Sequence, residues 1–237
     1  RKLSFEDSFA QSINPVFGKV GALRLKNQYL SFYAEAFGFN QEIPFELRFP
    51  ASKFTISDKP YNWAEIACGF NRKTTISPMH GALIAAAVVN GGNMPEPYII
   101  EELLDASGRL VYRGTSKLIH QPVEEKTAET IHRMMKATVD SGTCRKAFRG
   151  YTKDSTLCRL DIGGKTGSID NVSHSARIDW FVGFAEEKKG IEKMTIAVVV
   201  AHEEYIGIRA AEYARRGIKF YFKNFFAQQE QQNKVQS

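Results

Sequence analysis

The sequence predicts an α+β fold in which helices cover an antiparallel sheet. Three observations carry this: helix-type segments fill the chain as far as about residue 139, strand-type segments follow between residues 160 and 201, and one more helix-type segment closes the pattern. Runs of helices followed by runs of strands, without βαβ alternation, point to an antiparallel sheet rather than a parallel one.

The elements follow in order. Phe5, Phe9, Ile13, Val16 and Phe17 recur at close to helical spacing. Pro15 disfavours the helical conformation at Asn14, so one helix ends near Ser12 and another begins at Pro15, with Ser12 and Asn14 at the junction. A further helix covers Leu25 to Phe37 and stops at Gly38. Residues 40–75, with Pro44, Pro50 and Pro60, read as loop with at most a short extended pair. Ser77-Pro78 is a helix start, serine as N-cap and proline in the first turn. The small residues from Gly81 to Val89 make that helix a buried one, ended by Asn90-Gly91-Gly92. Tyr98–Leu104 and Leu110–Arg113 form a hairpin turning at Asp105–Gly108, and a helix covers Glu124 to Val139. Three strands then run through Leu160–Ser168, Ile178–Ala185 and Met194–Ala201, the last two as an antiparallel hairpin. A helix over Ile208–Phe226 covers them. The domain reads as residues 1–226, and the polar residues 227–237 read as a disordered tail.

Composition narrows the function classes. The 237 residues are 43% apolar and 24% charged, which is ordinary for a globular chain and excludes wholesale disorder. The net charge of +6 suits an anionic partner without choosing one. Nucleic-acid binding has only that charge behind it, since no recognition motif is present. No apolar run reaches the roughly 18 residues of a membrane span. The chain opens at Arg1 with no initiating methionine or signal peptide, and reads as a piece of a longer protein whose targeting or anchoring segment lies upstream. Cys68, Cys144 and Cys158 have no zinc spacing, and the five histidines are dispersed, so neither metal nor cofactor is expected. Cys144 and Cys158 could pair, closing a loop worth about 3 kcal/mol, or remain thiols; the sequence leaves both open.

Gly163-Gly164-Lys165-Thr166 has the surface form of a phosphate-binding loop. That motif needs a glycine five residues before Gly164, where Arg159 stands, and a helix after it, where this sequence reads as strand. The remaining reading is the Lys-Thr-Gly element of serine acyltransferases that act on D-alanyl peptides. There Lys165 presents a cation, Thr166 and Ser168 offer hydroxyls, and Gly167, without a side chain, lets a peptide lie against the strand.

Around this element the chain resembles the penicillin-binding transpeptidase family over about residues 3–201. Phe5–Phe17 resembles the segment with the family's Ser-x-Asn motif, here Ser12 and Asn14. Phe37-Gly38-Phe39 is similar to its aromatic-Gly-aromatic element, and Thr75–Met79 with Val89–Gly92 to its helix ending in Asn-Gly-Gly. Ser141-Gly142-Thr143 resembles its Gly-Thr, and Asp179–Phe184 its Trp-Phe-x-Gly strand. The resemblance implies a β-lactamase/transpeptidase-like fold lacking its N-terminal part and acyl transfer through a covalent acyl-enzyme. It also implies peptidoglycan stem peptides and β-lactams as ligands, other cell-wall synthesis proteins as possible partners, no nucleic acid, and a place on the extracytoplasmic face of a bacterial inner membrane. By the same resemblance Ser12, Asn14 and Lys165 are catalytic: Ser12 relays a proton, Asn14 bonds the substrate amide and Lys165 supplies charge. Thr166, Gly167 and Ser168 bind substrate, and the Ser168 N–H is an oxyanion donor. The family's Ser-x-x-Lys nucleophile motif is absent, since no serine has a lysine three places on. The expectation is therefore that the nucleophile lies upstream of Arg1 and this piece alone is inactive. The alternative is a non-catalytic β-lactam-sensing or scaffold module with the same fold. A further expectation is that the piece alone exposes apolar surface, because the missing part would supply edge strands.

Overall fold

The structure is a computed structural model that describes residues 3–236. Its helices begin with α1 (Phe5–Ala10), α2 (Asn14–Val20), a π-helical turn (Gly21–Leu25) and α3 (Lys26–Ala36). Next come α4 (Pro60–Cys68), α5 (Pro78–Val89) and four short strands, β1 (Met94–Pro95), β2 (Glu102–Leu104), β3 (Leu110–Arg113) and β4 (Leu118–His120). The rest is α6 (Glu125–Asp140), β5 (Leu160–Asp170), β6 (Arg177–Glu187), β7 (Lys193–His202) and α7 (Ala210–Gln236). The chain divides into two compact units, one of residues 14–130, the other of the residues up to Ile13 with those from Ile131 onward.

In the unit of residues 14–130, α5 begins as its sequence requires: the Ser77 hydroxyl accepts from the His80 N–H at 3.1 Å, and Pro78 stands in the first turn. Leu83 and Ala87 pack with Met94, and Phe37, Ile43, Met79 and Ile84 lie against them. His80 is fully buried, its ring Nε2 2.7 Å from the Phe37 carbonyl. Burial pulls its pKa below the ordinary value, so the ring is neutral and donates to that carbonyl. Two features differ from the sequence reading. The stretch 40–75, read as loop, contains α4, which starts at Pro60 just as α5 starts at Pro78. The second is the β1–β4 pair, which the sequence reading does not contain, beside the expected β2–β3 hairpin.

The other unit is built on a three-stranded antiparallel sheet in the order β5-β6-β7. On one face, Leu160, Ile162, Phe181 and Ala185 meet Ala214, Ile218, Phe222 and Phe226 of α7. Phe222 is wholly buried, and a side chain of that size contributes about 1.5–3 kcal/mol by leaving water. A Cβ at Gly164 would come within 2.3 Å of the Phe181 ring, so the bare backbone there is what admits that ring to the core. On the opposite face the His132 ring of α6 stacks on Phe184 at 4.4 Å between centroids, and Lys136 pairs with Asp161 at 2.7 Å. Cys144 is fully buried beside Phe148 and Leu157. All three cysteines are free thiols, so the pairing of Cys144 with Cys158 is not made. Burial pushes the Cys144 thiol up to about 12, which keeps it protonated and unreactive.

The tail expected to be disordered falls on the end of α7. From Ala227 to Gln236 the chain continues α7; its glutamines, Glu230 and Lys234 are good helix formers, and the helix is already anchored by Phe222 and Phe226. Ser237 lies outside the described residues.

Candidate active site

The site is assembled in the unit that holds the sheet, where α1 ends against β5. After α1 the Ser12 N–H donates to the Phe9 carbonyl at 3.0 Å and the Ile13 N–H to the Ser8 carbonyl at 2.9 Å. This bond pair closes a helix on a left-handed residue, and that residue is Ser12, with φ of 54°. Non-glycine residues reach this conformation only at a cost, so the surroundings hold Ser12 there. They do so through the Ser141-Gly142-Thr143 turn. The Thr143 N–H donates to the Ala10 carbonyl at 3.0 Å and the Gln11 side chain donates to the Ser141 carbonyl at 2.8 Å. A Cβ on Gly142 would stand 2.3 Å from the Ala10 carbonyl oxygen and 2.7 Å from Thr138 Cα, so only glycine permits this approach.

The result is a serine hydroxyl facing a lysine. Lys165 Nζ donates to Ser12 Oγ at 2.8 Å and to the Thr166 carbonyl at 2.9 Å, and lies 5.8 Å from the Phe9 ring centroid. Burial lowers the Lys165 pKa from its ordinary value, with the nearby Cys144 acting the other way. The ammonium is therefore a stronger acid than a solvated lysine, and its acceptor is Ser12.

Alternation along β5 puts Thr166 and Ser168 on the face opposite to Lys165. Thr166 Oγ1 lies 2.6 Å from Thr143 Oγ1. A Cβ at Gly167 would meet only the Trp180 Cβ, at 3.6 Å, so that surface of the strand is open. Ser168 Oγ donates to Asp179 Oδ1 at 2.8 Å and accepts from Arg209 Nη2 at 3.2 Å. Asp179 is 2% exposed, and its other oxygen takes the Ala210 N–H at 2.8 Å at the start of α7.

The structure thus brings together Ser12, Lys165 and Thr166, with Gly167 and Ser168 following on the same strand. Asn14 belongs to the other unit, where it is the exposed first residue of α2. Thr143, Asp179 and Arg209 contact Thr166 or Ser168, and the sequence reading does not single them out. The quoted Ser-Gly-Thr and Asp-Trp-Phe segments contain the first two, but Arg209 carries no motif. Among the described residues no group of three or more His, Cys, Asp or Glu could hold a metal ion.

A strand carrying Lys-Thr-Gly, a helix-end serine held on its lysine and a long helix behind the sheet are the features on which the resemblance to penicillin-binding transpeptidases rests. The chain belongs to the penicillin binding protein transpeptidase domain family, whose model matches residues 1–219. It is 28% identical to the stage V sporulation protein D of Bacillus subtilis over 182 residues, covering 73% of this chain and 27% of that protein. To the peptidoglycan D,D-transpeptidase PbpA of Mycolicibacterium smegmatis it is 22% identical over 204 residues, covering 84% of this chain and 38% of that one. The chain thus spans well under half the length of these relatives. Among solved structures, the D,D-transpeptidase domain of a peptidoglycan glycosyltransferase from Eggerthella lenta matches with a TM-score of 0.73 and 24% identity over 93% of this chain and 53% of that one. The penicillin G acyl-enzyme complex of penicillin-binding protein A from M. tuberculosis matches with a TM-score of 0.75 and 20% identity, over 92% of this chain and 47% of that one. At these identities the structural likeness establishes the fold.

Proposed function

We propose that this chain is the substrate-holding part of a peptidoglycan D,D-transpeptidase that forms acyl-enzymes with D-Ala-D-Ala stem peptides and with β-lactams. The 2.8 Å hydrogen bond from Lys165 to Ser12, beside the open strand at Gly167, carries the reading. The attacking serine comes from outside these 237 residues. It passes its hydroxyl proton to the lysine of its own Ser-x-x-Lys motif and adds to the carbonyl carbon of the penultimate D-Ala; the oxyanion is met by backbone N–H groups, that of Ser168 among them, one such donor being worth on the order of 3 kcal/mol. As the C–N bond breaks, Ser12 Oγ–H gives its proton to the leaving nitrogen and Lys165 Nζ replaces it. An amine of a neighbouring stem, or water, then takes the acyl group. Asn14 hydrogen-bonds the substrate amide, Gly167 lets the peptide lie along β5, and Thr166 and Ser168 serve the terminal carboxylate. The parent protein works on the extracytoplasmic face of the bacterial inner membrane, held by an upstream segment, in the company of other cell-wall synthesis proteins and not of nucleic acid. Among the described residues no helix is long and apolar enough to cross a membrane.

Labelling with a fluorescent penicillin tests this. These 237 residues alone stay unlabelled, and a version extended upstream to include Ser-x-x-Lys becomes covalently labelled. An extended version that carries that motif, folds and still does not label would favour the β-lactam-sensing or scaffold alternative.

A further inference from the structure

The hydroxyl of Ser168 has one proton, and it is committed to Asp179 Oδ1 at 2.8 Å. A serine whose proton is engaged offers an incoming anion only lone pairs. The group beside it is different in kind. Arg209 Nη2 bonds both Asp179 Oδ1, at 2.9 Å, and Ser168 Oγ, at 3.2 Å. The Arg209 side chain is 42% exposed where that of Asp179 is 2% exposed. Its described hydrogen bonds leave from Nη2 alone, and a guanidinium has five N–H donors in a planar fork suited to carboxylates. On the same face of β5, Thr166 shares one hydrogen bond with Thr143; when Thr143 donates, the Thr166 proton is free.

We propose that Arg209 is a specificity-determining residue of this site: its outward guanidinium edge binds the terminal carboxylate of the acyl donor together with the Thr166 hydroxyl. Ser168 and Asp179 are positioning residues that hold the guanidinium in place. Asp179 can play this part because a carboxylate buried so deeply needs its partners. It has them in Arg209, Ser168 and the Ala210 N–H, which fix the start of α7 and with it the origin of the Arg209 side chain. This assignment rests on the transpeptidase reading, and it moves the carboxylate contact from Ser168 to Arg209.

The test compares penicillin G with its methyl ester, which lacks the anionic carboxylate, as acylating agents of the intact protein with its attacking serine. Arg209→Ala lowers the second-order acylation rate for the acid by about tenfold or more, the size of a lost charge-assisted hydrogen bond, and leaves the rate for the ester nearly unchanged. Arg209→Lys, which keeps a point charge without the fork, falls in between. Ser168→Ala, which leaves Asp179 and Arg209 paired, costs the acid less than Arg209→Ala does. Equal losses for acid and ester, no loss for either, or a larger loss in Ser168→Ala than in Arg209→Ala would overturn the assignment while leaving the transpeptidase reading standing. If the unaltered intact protein reacts with neither compound, both fall.

Discussion

Ser12 combines two demands that conflict locally. Its φ of 54° is a conformation glycine adopts freely, yet its hydroxyl is the acceptor for Lys165. Strain of this kind collects at functional sites. Replacing Ser12 by alanine or by glycine removes the hydroxyl in both cases, so the difference between the two variants isolates the backbone. Ser12→Gly is expected to be more stable than Ser12→Ala by about 0.5–1 kcal/mol, after the greater unfolded-state freedom of glycine is set against the left-handed penalty. Denaturant unfolding of the two variants measures it, and equal midpoints would mean that the position is unstrained. The lysine makes its own prediction. In the proposed mechanism the ammonium resupplies Ser12 with its proton, and burial lowers the pKa of Lys165. The rate of β-lactam acylation by the intact protein therefore falls as pH rises through that depressed value, with an alkaline limb below the roughly 10.4 of a free lysine. Lys165→Arg, which stays protonated throughout, removes the limb even where it slows the reaction. A limb at or above the free-lysine value in the unaltered protein would show that the proton comes from elsewhere.

The elements are joined into a site by contacts that no single segment announces. Gly142 is the clearest case. Its missing side chain lets the end of α1 rest on the turn that follows α6, with backbone atoms of Ala10 and Thr138 where a Cβ would go. Backbone cannot rotate away as a side-chain tip can. Gly142→Ala is accordingly expected to destabilise the fold by about 1–3 kcal/mol, as overpacking does, and to slow acylation by displacing Ser12 from Lys165. Gly167→Ala, whose Cβ meets only Trp180 at 3.6 Å, should leave the unfolding midpoint unchanged, which makes it the control. These elements also show what the sequence made legible. Ser77-Pro78, the β2–β3 hairpin and the Lys-Thr-Gly strand were readable because their signals are local: a cap, a turn, an alternation. By contrast, α4 was hidden because its N-cap is Lys59, which makes no side-chain capping bond, and because three prolines suggested loop. Ser12 and Lys165 were legible as a pair through their motifs, although they stand 153 residues apart. Asp179 and Arg209 meet Ser168 only through strand register and the start of α7, and neither was singled out.

At the scale of the whole molecule, the sheet is the part with an open edge. Among the described residues β7 pairs only with β6, so its other edge carries no strand. On the face away from α7, Ala197, Val199 and Ala201 stand beside Val182, Trp180 and Ile178 of the neighbouring strand; all are at least partly accessible, and Val199 is 39% exposed. A long, apolar, unblocked edge of this kind is a template for pairing with another chain, and an apolar patch beside it adds to the tendency. The chain by itself is therefore expected to self-associate at micromolar concentration, seen by light scattering after size-exclusion chromatography, and to bind a hydrophobic dye. Adding the upstream residues of the parent protein should give a monodisperse species that no longer binds the dye, because a strand laid on β7 satisfies the open N–H and C=O groups and covers the patch. The substitution Val199→Lys, which places a charge on the exposed edge, should reduce association of the short chain without restoring any acylation, since it adds no nucleophile. A short chain that is monomeric, dye-silent and cooperative in unfolding would instead mean that the three-stranded sheet is complete as it stands, and that whatever supplies the attacking serine docks elsewhere.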